Sequence, residues 1–353
     1  MTSDRFVRSN GYQLSPDRQL LLQAALLDKN AALTAWEQWQ SSVDIEVLDS
    51  DSYLLLPQLY QNLLAHGVEA APMARLKGIY RRNWYANQLQ LKRLYHLLAN
   101  LQEMGIEAMM LGDAALFQVV GSYRQISNFQ LLVRAHDLER AIRHLSDLNW
   151  QSYGDRSSTF IHLQDDCQHS LYLQGRLFWA IPQEYTDELV WQHATQSQDD
   201  LAGWQPSATD LFLVMCARMF DRNQSLQIGD LADAMMLMRS GTALDWLRLI
   251  AQAQRYQMIL PVRNTIVLLE RLFQAAPPNW VLPALWQMPI SRLEWLNYQG
   301  LAGDRQAWRS AKLARTSQQF DRFAARVRQL KYLPFPGRQT LKNLLKPTTS
   351  AIE

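Results

Sequence analysis

Apolar residues recur every three or four positions over much of the first hundred residues, the period of a helix with one buried face. Ser15-Pro16, a capping residue followed by a proline suited to the first helical turn, precedes Leu20-Leu21-Leu22 and Ala24-Ala25-Leu26. Leu56, Leu59, Tyr60 and Leu63 repeat the spacing. A longer stripe, Leu76, Ile79, Tyr80, Trp84, Leu89, Leu91, Leu94, Leu98 and Leu101, predicts a helix over residues 73–104, with Gly105 closing it as a C-cap glycine. On this reading Trp84 and Tyr85 are core or interdomain residues.

From residue 106 to 181 the pattern switches to short apolar strands separated by helices and turns. Strands are expected over 108–111, 129–133, 150–153, 159–163 and 170–173, and helices over 114–120 and 136–148. Gly154-Asp155 and Asp165-Asp166 read as turns. Helical spacing returns after Pro182: Ser207-Ala208-Thr209-Asp210 opens a strongly apolar helix, and Ile228-Gly229-Asp230-Leu231 leads into another. The predicted class is α+β, a small mixed sheet flanked by N- and C-terminal helical regions. The corresponding divisions are a helical region over 1–104, a sheet core over 105–182, a helical domain over 183–300 and a basic helical tail over 301–353.

The most telling residues lie at the start of the second strand. Met109-Met110-Leu111-Gly112-Asp113-Ala114-Ala115-Leu116 is followed by Arg124-Gln125-Ile126-Ser127-Asn128-Phe129-Gln130-Leu131-Leu132-Val133. Arg134-Ala135-His136-Asp137-Leu138-Glu139-Arg140-Ala141 comes next. This run resembles, without gaps, the bacterial uncharacterised nucleotidyltransferases, a branch of the polymerase-beta-type superfamily. Weaker resemblance extends over residues 15–300. It implies the nucleotidyltransferase fold, with two carboxylates on one strand and a third on a neighbour. Those carboxylates would bind divalent cations that bridge nucleotide phosphates.

The departures from that pattern fall on the chemistry. Asn128 and Gln130 stand at the first two acidic positions, Tyr172 at the third, and Gly112-Asp113 where a Lys-Gly pair is expected. Asn128 and Gln130 are two residues apart on a strand, so their side chains share a face. Two amides and a phenol leave Mg²⁺ without the charge that offsets its dehydration. The expectation is a pseudoenzyme with no catalytic residue, no metal and no cofactor. Its cleft would be lined by Gly112, Asp113, Arg124, Ser127, Asn128, Gln130, Tyr172 and Asp230. Asp230 reads equally as a cleft residue or as an acid favoured at a helix N-terminus. The histidine that the family often carries in the preceding helix has no counterpart among residues 216–219.

Other readings stay open. Under an active-transferase alternative, Arg124 and Ser127 would handle the phosphates of a Mg²⁺-nucleotide and Asp113 or Asp230 would supply charge. Asn128 and Gln130 would be ordinary strand-end residues if the resemblance were fortuitous. Asp113, Asp165 and Asp166 are a conceivable relocated metal site, and His162 and His169 could face each other across a hairpin.

Composition narrows the class of protein. Of 353 residues 48% are hydrophobic and 19% charged, and no apolar run reaches the length of a membrane span. The N-terminus lacks the apolar core of a secretory signal, so a cytoplasmic location is expected. Cys167 sits in a polar turn and Cys216 in an apolar helix, and no disulfide between them is expected. The net charge of +2 conceals a basic segment from Arg305 to Lys346, with eleven Lys or Arg against Asp321 alone, hence +10 there and −8 elsewhere. That segment is read as a solvated face, as a dock for an acidic partner protein or peptide, or as a binder of nucleic acid or anionic lipid. A role in natural-product, peptide or polysaccharide biosynthesis is implied by the resemblance alone.

Overall fold

The computed structural model of the chain describes residues 14–121, 123–154, 159–178, 187–196, 203–219, 227–239 and 244–301. The basic segment from Arg305 to Lys346 lies outside the described residues. Four helices lead: α1 (Pro16–Leu26), α2 (Lys29–Ser42), α3 (Ser50–Ala65) and the long α4 (Pro72–Glu103). Ser15 caps α1 as its sequence suggests, its side chain accepting from Arg18 N. Asp49 caps α3 through the backbone N–H groups of Asp51 and Ser52. Gly105, at φ +65°, terminates α4 in the left-handed region.

The sheet section follows as β1 (Ala108–Leu111), α5 (Gly112–Val120), β2 (Phe129–Val133) and α6 (Leu138–Asp147). It continues through β3 (Gln151–Ser152), β4 (Phe160–Gln164) and β5 (Ser170–Gln174). After α7 (Glu188–Gln192), two short strands missed by the periodicity, β6 (Thr195–Gln196) and β7 (Trp204–Gln205), complete the sheet. They are two residues each, too short for an alternation to register.

The seven strands lie in the order β3-β4-β5-β2-β1-β7-β6. β2 pairs antiparallel with β1 and parallel with β5, and β1 pairs parallel with β7, so the sheet is mixed. Helices α8 (Ala208–Met219), α9 (Ile228–Arg239), α10 (Trp246–Arg255), α11 (Ile259–Phe273), α12 (Val281–Gln287) and α13 (Arg292–Leu301) follow. The fold is α+β, as expected. Its apolar core runs as one cluster from Leu21 on α1 through the sheet to Tyr298 on α13. Among the described residues no helix is long and apolar enough to cross a membrane.

One expectation about α4 fails. Trp84, Tyr85 and Leu89 are 44%, 68% and 56% exposed instead of buried. The buried stripe passes from Ile79 through half-buried Asn83 and buried Asn87 to Leu91, Leu94, Leu98 and Leu101. Helical spacing selects the face, and here two amides, Asn83 and Asn87, occupy it, while Tyr85 and Leu89 fall on the opposite side.

Candidate functional site

The two amides on α4 organise the loop that leads into β2. Asn83 Nδ2 donates to Tyr123 O at 2.5 Å, and Asn87 Nδ2 donates to Arg124 O at 2.7 Å. Asn87 Oδ1 in turn accepts from Ile126 N at 2.9 Å. Asn87 is 1% exposed and engages the backbone with both ends of its amide. The loop is therefore pinned on either side of Gln125, which fixes the direction in which the Arg124 side chain leaves it.

Arg124 points at α9. Its Nη1 lies 3.0 Å from Asp230 Oδ1 and 2.5 Å from Asp233 Oδ2. The two acids are three residues apart and share a helix face. Gly229 makes the approach possible, since a Cβ there would stand 2.9 Å from Arg124 Cζ. A second guanidinium enters from α8: Arg218 Nη2 is 3.2 Å from Asp230 Oδ1 and Arg218 Nη1 is 3.7 Å from Asp113 Oδ1. Asp113 belongs to the first turn of α5. Three carboxylates thus meet two guanidiniums at the N-terminal ends of α5 and α9. Asp51 on α3 accepts from Ile228 N, the first residue of α9, at 3.0 Å.

Burial and ion pairing oppose each other at Asp233 and Arg124. Burial lifts the Asp233 carboxyl above the ordinary carboxylate range, against the pull of Arg124. Burial also works against the Arg124 charge, but Asp233, Asp113 and Asp230 outweigh it and hold the guanidinium firmly protonated. Asp113 Oδ1, Asp230 Oδ2 and Arg218 Nη1 are buried without a hydrogen bond among the described residues. Asp113 Oδ1 and Arg218 Nη1 face each other at 3.7 Å, an ion pair too long for a hydrogen bond.

Gly112, at φ +62°, joins the cluster to the sheet. A Cβ at this position would lie 2.7 Å from Gln130 Cδ, so the glycine is what lets the amide pack over the start of α5. Gln130 Nε2 donates to Asn128 Oδ1 at 3.0 Å, and Asn128 Nδ2 donates to Ser127 Oγ at 3.1 Å. The shared face inferred for the two amides is realised as a direct bond. Across the sheet, Gln130 is the Cα partner of Tyr172 on β5, and Tyr172 is the partner of His162 on β4. The His162 ring stacks on Tyr172 at 4.4 Å. It therefore does not face His169, whose ring instead contacts Asp165.

All eight cleft residues expected from the sequence fall in this one connected region. Asp230 lies in the first turn of α9 and is buried within the charged cluster. Arg218, Asp233, Asn83, Asn87 and Asp51 were not expected there. A signal existed for two of them. Asp233 follows Asp230 by three residues in a run that is otherwise apolar, and Arg218 interrupts the apolar α8. Buried charges of opposite sign on neighbouring helices imply a pair. The loop clamp by Asn83 and Asn87 had no such signal.

The model of a family described as uncharacterised nucleotidyltransferases matches residues 52–274, well over half of the chain. The chain belongs to that family. The matched part of this nucleotidyltransferase-family protein contains the amide row, Tyr172 and the whole Arg124–Arg218 cluster. Among solved structures, an antigenic nucleotidyltransferase-like protein from Paracoccidioides brasiliensis is similar, at 11% identity and TM-score 0.34, over 57% of this chain and 93% of that one. No curated protein matches the chain.

Proposed function

We propose that this protein keeps the nucleotidyltransferase fold without metal-dependent nucleotidyl transfer and works as a binding or scaffolding component. The observation that carries the reading is the convergence of Asn128, Gln130 and Tyr172. Gln130 and Tyr172 are register partners and Asn128 is hydrogen-bonded to Gln130, so the three positions where the family's carboxylates are expected are adjacent and all neutral. A Mg²⁺ ion there would find amide and phenol oxygens only, and divalent cations of this kind take charged oxygen ligands to offset dehydration. Asp113 and Asp230 do not fill the gap. Each is already paired with a guanidinium, and Arg124, the residue best placed for a phosphate, is occupied by Asp230 and Asp233.

In this reading the carboxylates stand in for the phosphate groups, and the cleft offers hydrogen bonds from its amides to a peptide, a partner or a nucleotide without metal. The basic segment from Arg305 to Lys346 supplies charge for an acidic protein or peptide partner, in a setting such as natural-product, peptide or polysaccharide biosynthesis.

The test is calorimetry with ATP, GTP, CTP and UTP, each with and without Mg²⁺ or Mn²⁺. The expected result is no metal-dependent heat of nucleotide binding. Metal-dependent binding that is lost in Asp113→Asn or Asp230→Asn would establish the competing reading, an active transferase with a relocated charge.

A further inference from the structure

The turn between β4 and β5 gathers three different metal-ligating groups away from the amide row. Asp165, Cys167 and His169 alternate along the chain, and one ligand atom of each lies within 4.8 Å of the others. The turn is built to hold them. Asp165 Oδ1 accepts from Cys167 N at 3.0 Å and from His169 N at 2.8 Å, an Asx-type closure that curls the segment around one carboxylate. Gln168 sits in the left-handed region at φ +64°, which brings position 169 back toward 165. The other carboxylate oxygen, Oδ2, is 2.8 Å from His169 Nδ1. Cys167 is exposed and its thiol is free.

We propose that Asp165, Cys167 and His169 form a binding site for a borderline divalent transition ion of the zinc class. A thiolate, an imidazole and a carboxylate are the donors such ions select over Mg²⁺ or Ca²⁺. The spacing fits. Around a tetrahedral ion with bonds of about 2.0 Å to nitrogen and oxygen, those two ligand atoms stand about 3.3 Å apart. The 2.8 Å pair therefore opens by about half an ångström. Sγ approaches by rotation about the Cys167 χ1 torsion, which an exposed side chain permits. Three protein ligands leave the fourth position to water.

Proton accounting is simple. The ion displaces the thiol proton to solvent. The imidazole stays neutral, its proton moving from Nδ1, where it is shared with Asp165, to Nε2. Nε2 at present lies 2.6 Å from Arg93 Nη1. An imidazole protonated at Nε2 cannot accept from a guanidinium, so Arg93 must release it. Arg93 is exposed on α4 and can do so. The bound ion competes directly with that contact.

The untagged full-length chain is titrated with Co²⁺ in the absence of nucleotide, and the sulfur-to-metal charge-transfer band is read in the near ultraviolet. Zn²⁺ is then used to displace it. One Co²⁺ per chain is expected, with the band lost in Cys167→Ser and affinity weakened by about tenfold or more in His169→Ala and Asp165→Asn. Arg93→Ala should tighten binding, because it removes both a competing bond and a positive charge. Cys216→Ala should leave the titration unchanged. A band that survives Cys167→Ser, or no band in the wild type, overturns the proposal. Because no nucleotide is present and none of the varied residues belongs to the amide row, either outcome leaves the reading of the cleft to its own test.

Discussion

The side-chain amide of Gln130 lies over Gly112 so closely that a Cβ at position 112 would stand 2.7 Å from Gln130 Cδ. The glycine also sits at φ +62°, so two separate constraints meet at one residue. Gly112→Ala should destabilise the protein by about 1–3 kcal/mol from backbone strain alone, with the clash added. Gln130→Ala in the same chain should recover the clash but not the strain. Urea denaturation of the single and double variants separates the two contributions, and full recovery would remove φ from the explanation.

Arg124 neutralises two carboxylates that are each 1% exposed. Removing one partner of a buried ion pair leaves charge without compensation and costs about 3–5 kcal/mol. Arg124→Met should therefore lower stability by about that amount. Adding Asp233→Asn should restore part of it, and adding Asp230→Asn as well, which strips Arg218 of its nearer partner, should restore no more. Chemical denaturation of the three variants checks the order, and a mild Arg124→Met would show that the cluster is wetter than its burial implies.

Asn87→Ala deletes two bonds to the loop that carries Arg124. The unsatisfied backbone groups are expected to cost about 1–3 kcal/mol. Asn83→Ala removes a single bond at a more exposed position and should cost less. Amide hydrogen exchange provides a second readout. Protection at Ile126 should fall in Asn87→Ala and persist in Asn83→Ala.

The two thiols should differ sharply in reactivity. Burial pushes the Cys216 thiol up to about 12, whereas Cys167 is exposed. Titration with a thiol reagent at neutral pH should label one cysteine per native chain, and Cys167→Ser should abolish labelling. Two thiols should react once the protein is unfolded. Labelling of the native Cys167→Ser variant would place Cys216 nearer to solvent than the fold allows.

Much of this architecture is written in local pattern. The strands 108–111 and 129–133 are read from apolar runs and appear with those bounds as β1 and β2. The caps Ser15 and Gly105 act where their chemistry predicts. The amide pair is visible because strand alternation is strictly local, so positions 128 and 130 must share a face. Resemblance to a family put Tyr172 on a strand neighbouring the amide pair, and the parallel register of β2 and β5 sets it opposite Gln130.

Charge pairing belongs to a different level. Arg124, Arg218, Asp113 and Asp230 come from four separate elements, and no spacing along the chain announces that they neutralise one another. The same is true of Asn83 and Asn87, polar residues on the buried side of α4 whose partners are backbone groups of a loop some forty residues on. The sequence by itself determined the longer strands and several of the helices, the α+β class and the neutral character of the amide row, all consequences of local periodicity and side-chain type. Only the tertiary structure decided which acids each arginine holds and which face of α4 is buried. Long-range packing sets those choices, since a buried charge or backbone group must find its partner wherever the fold brings one within reach.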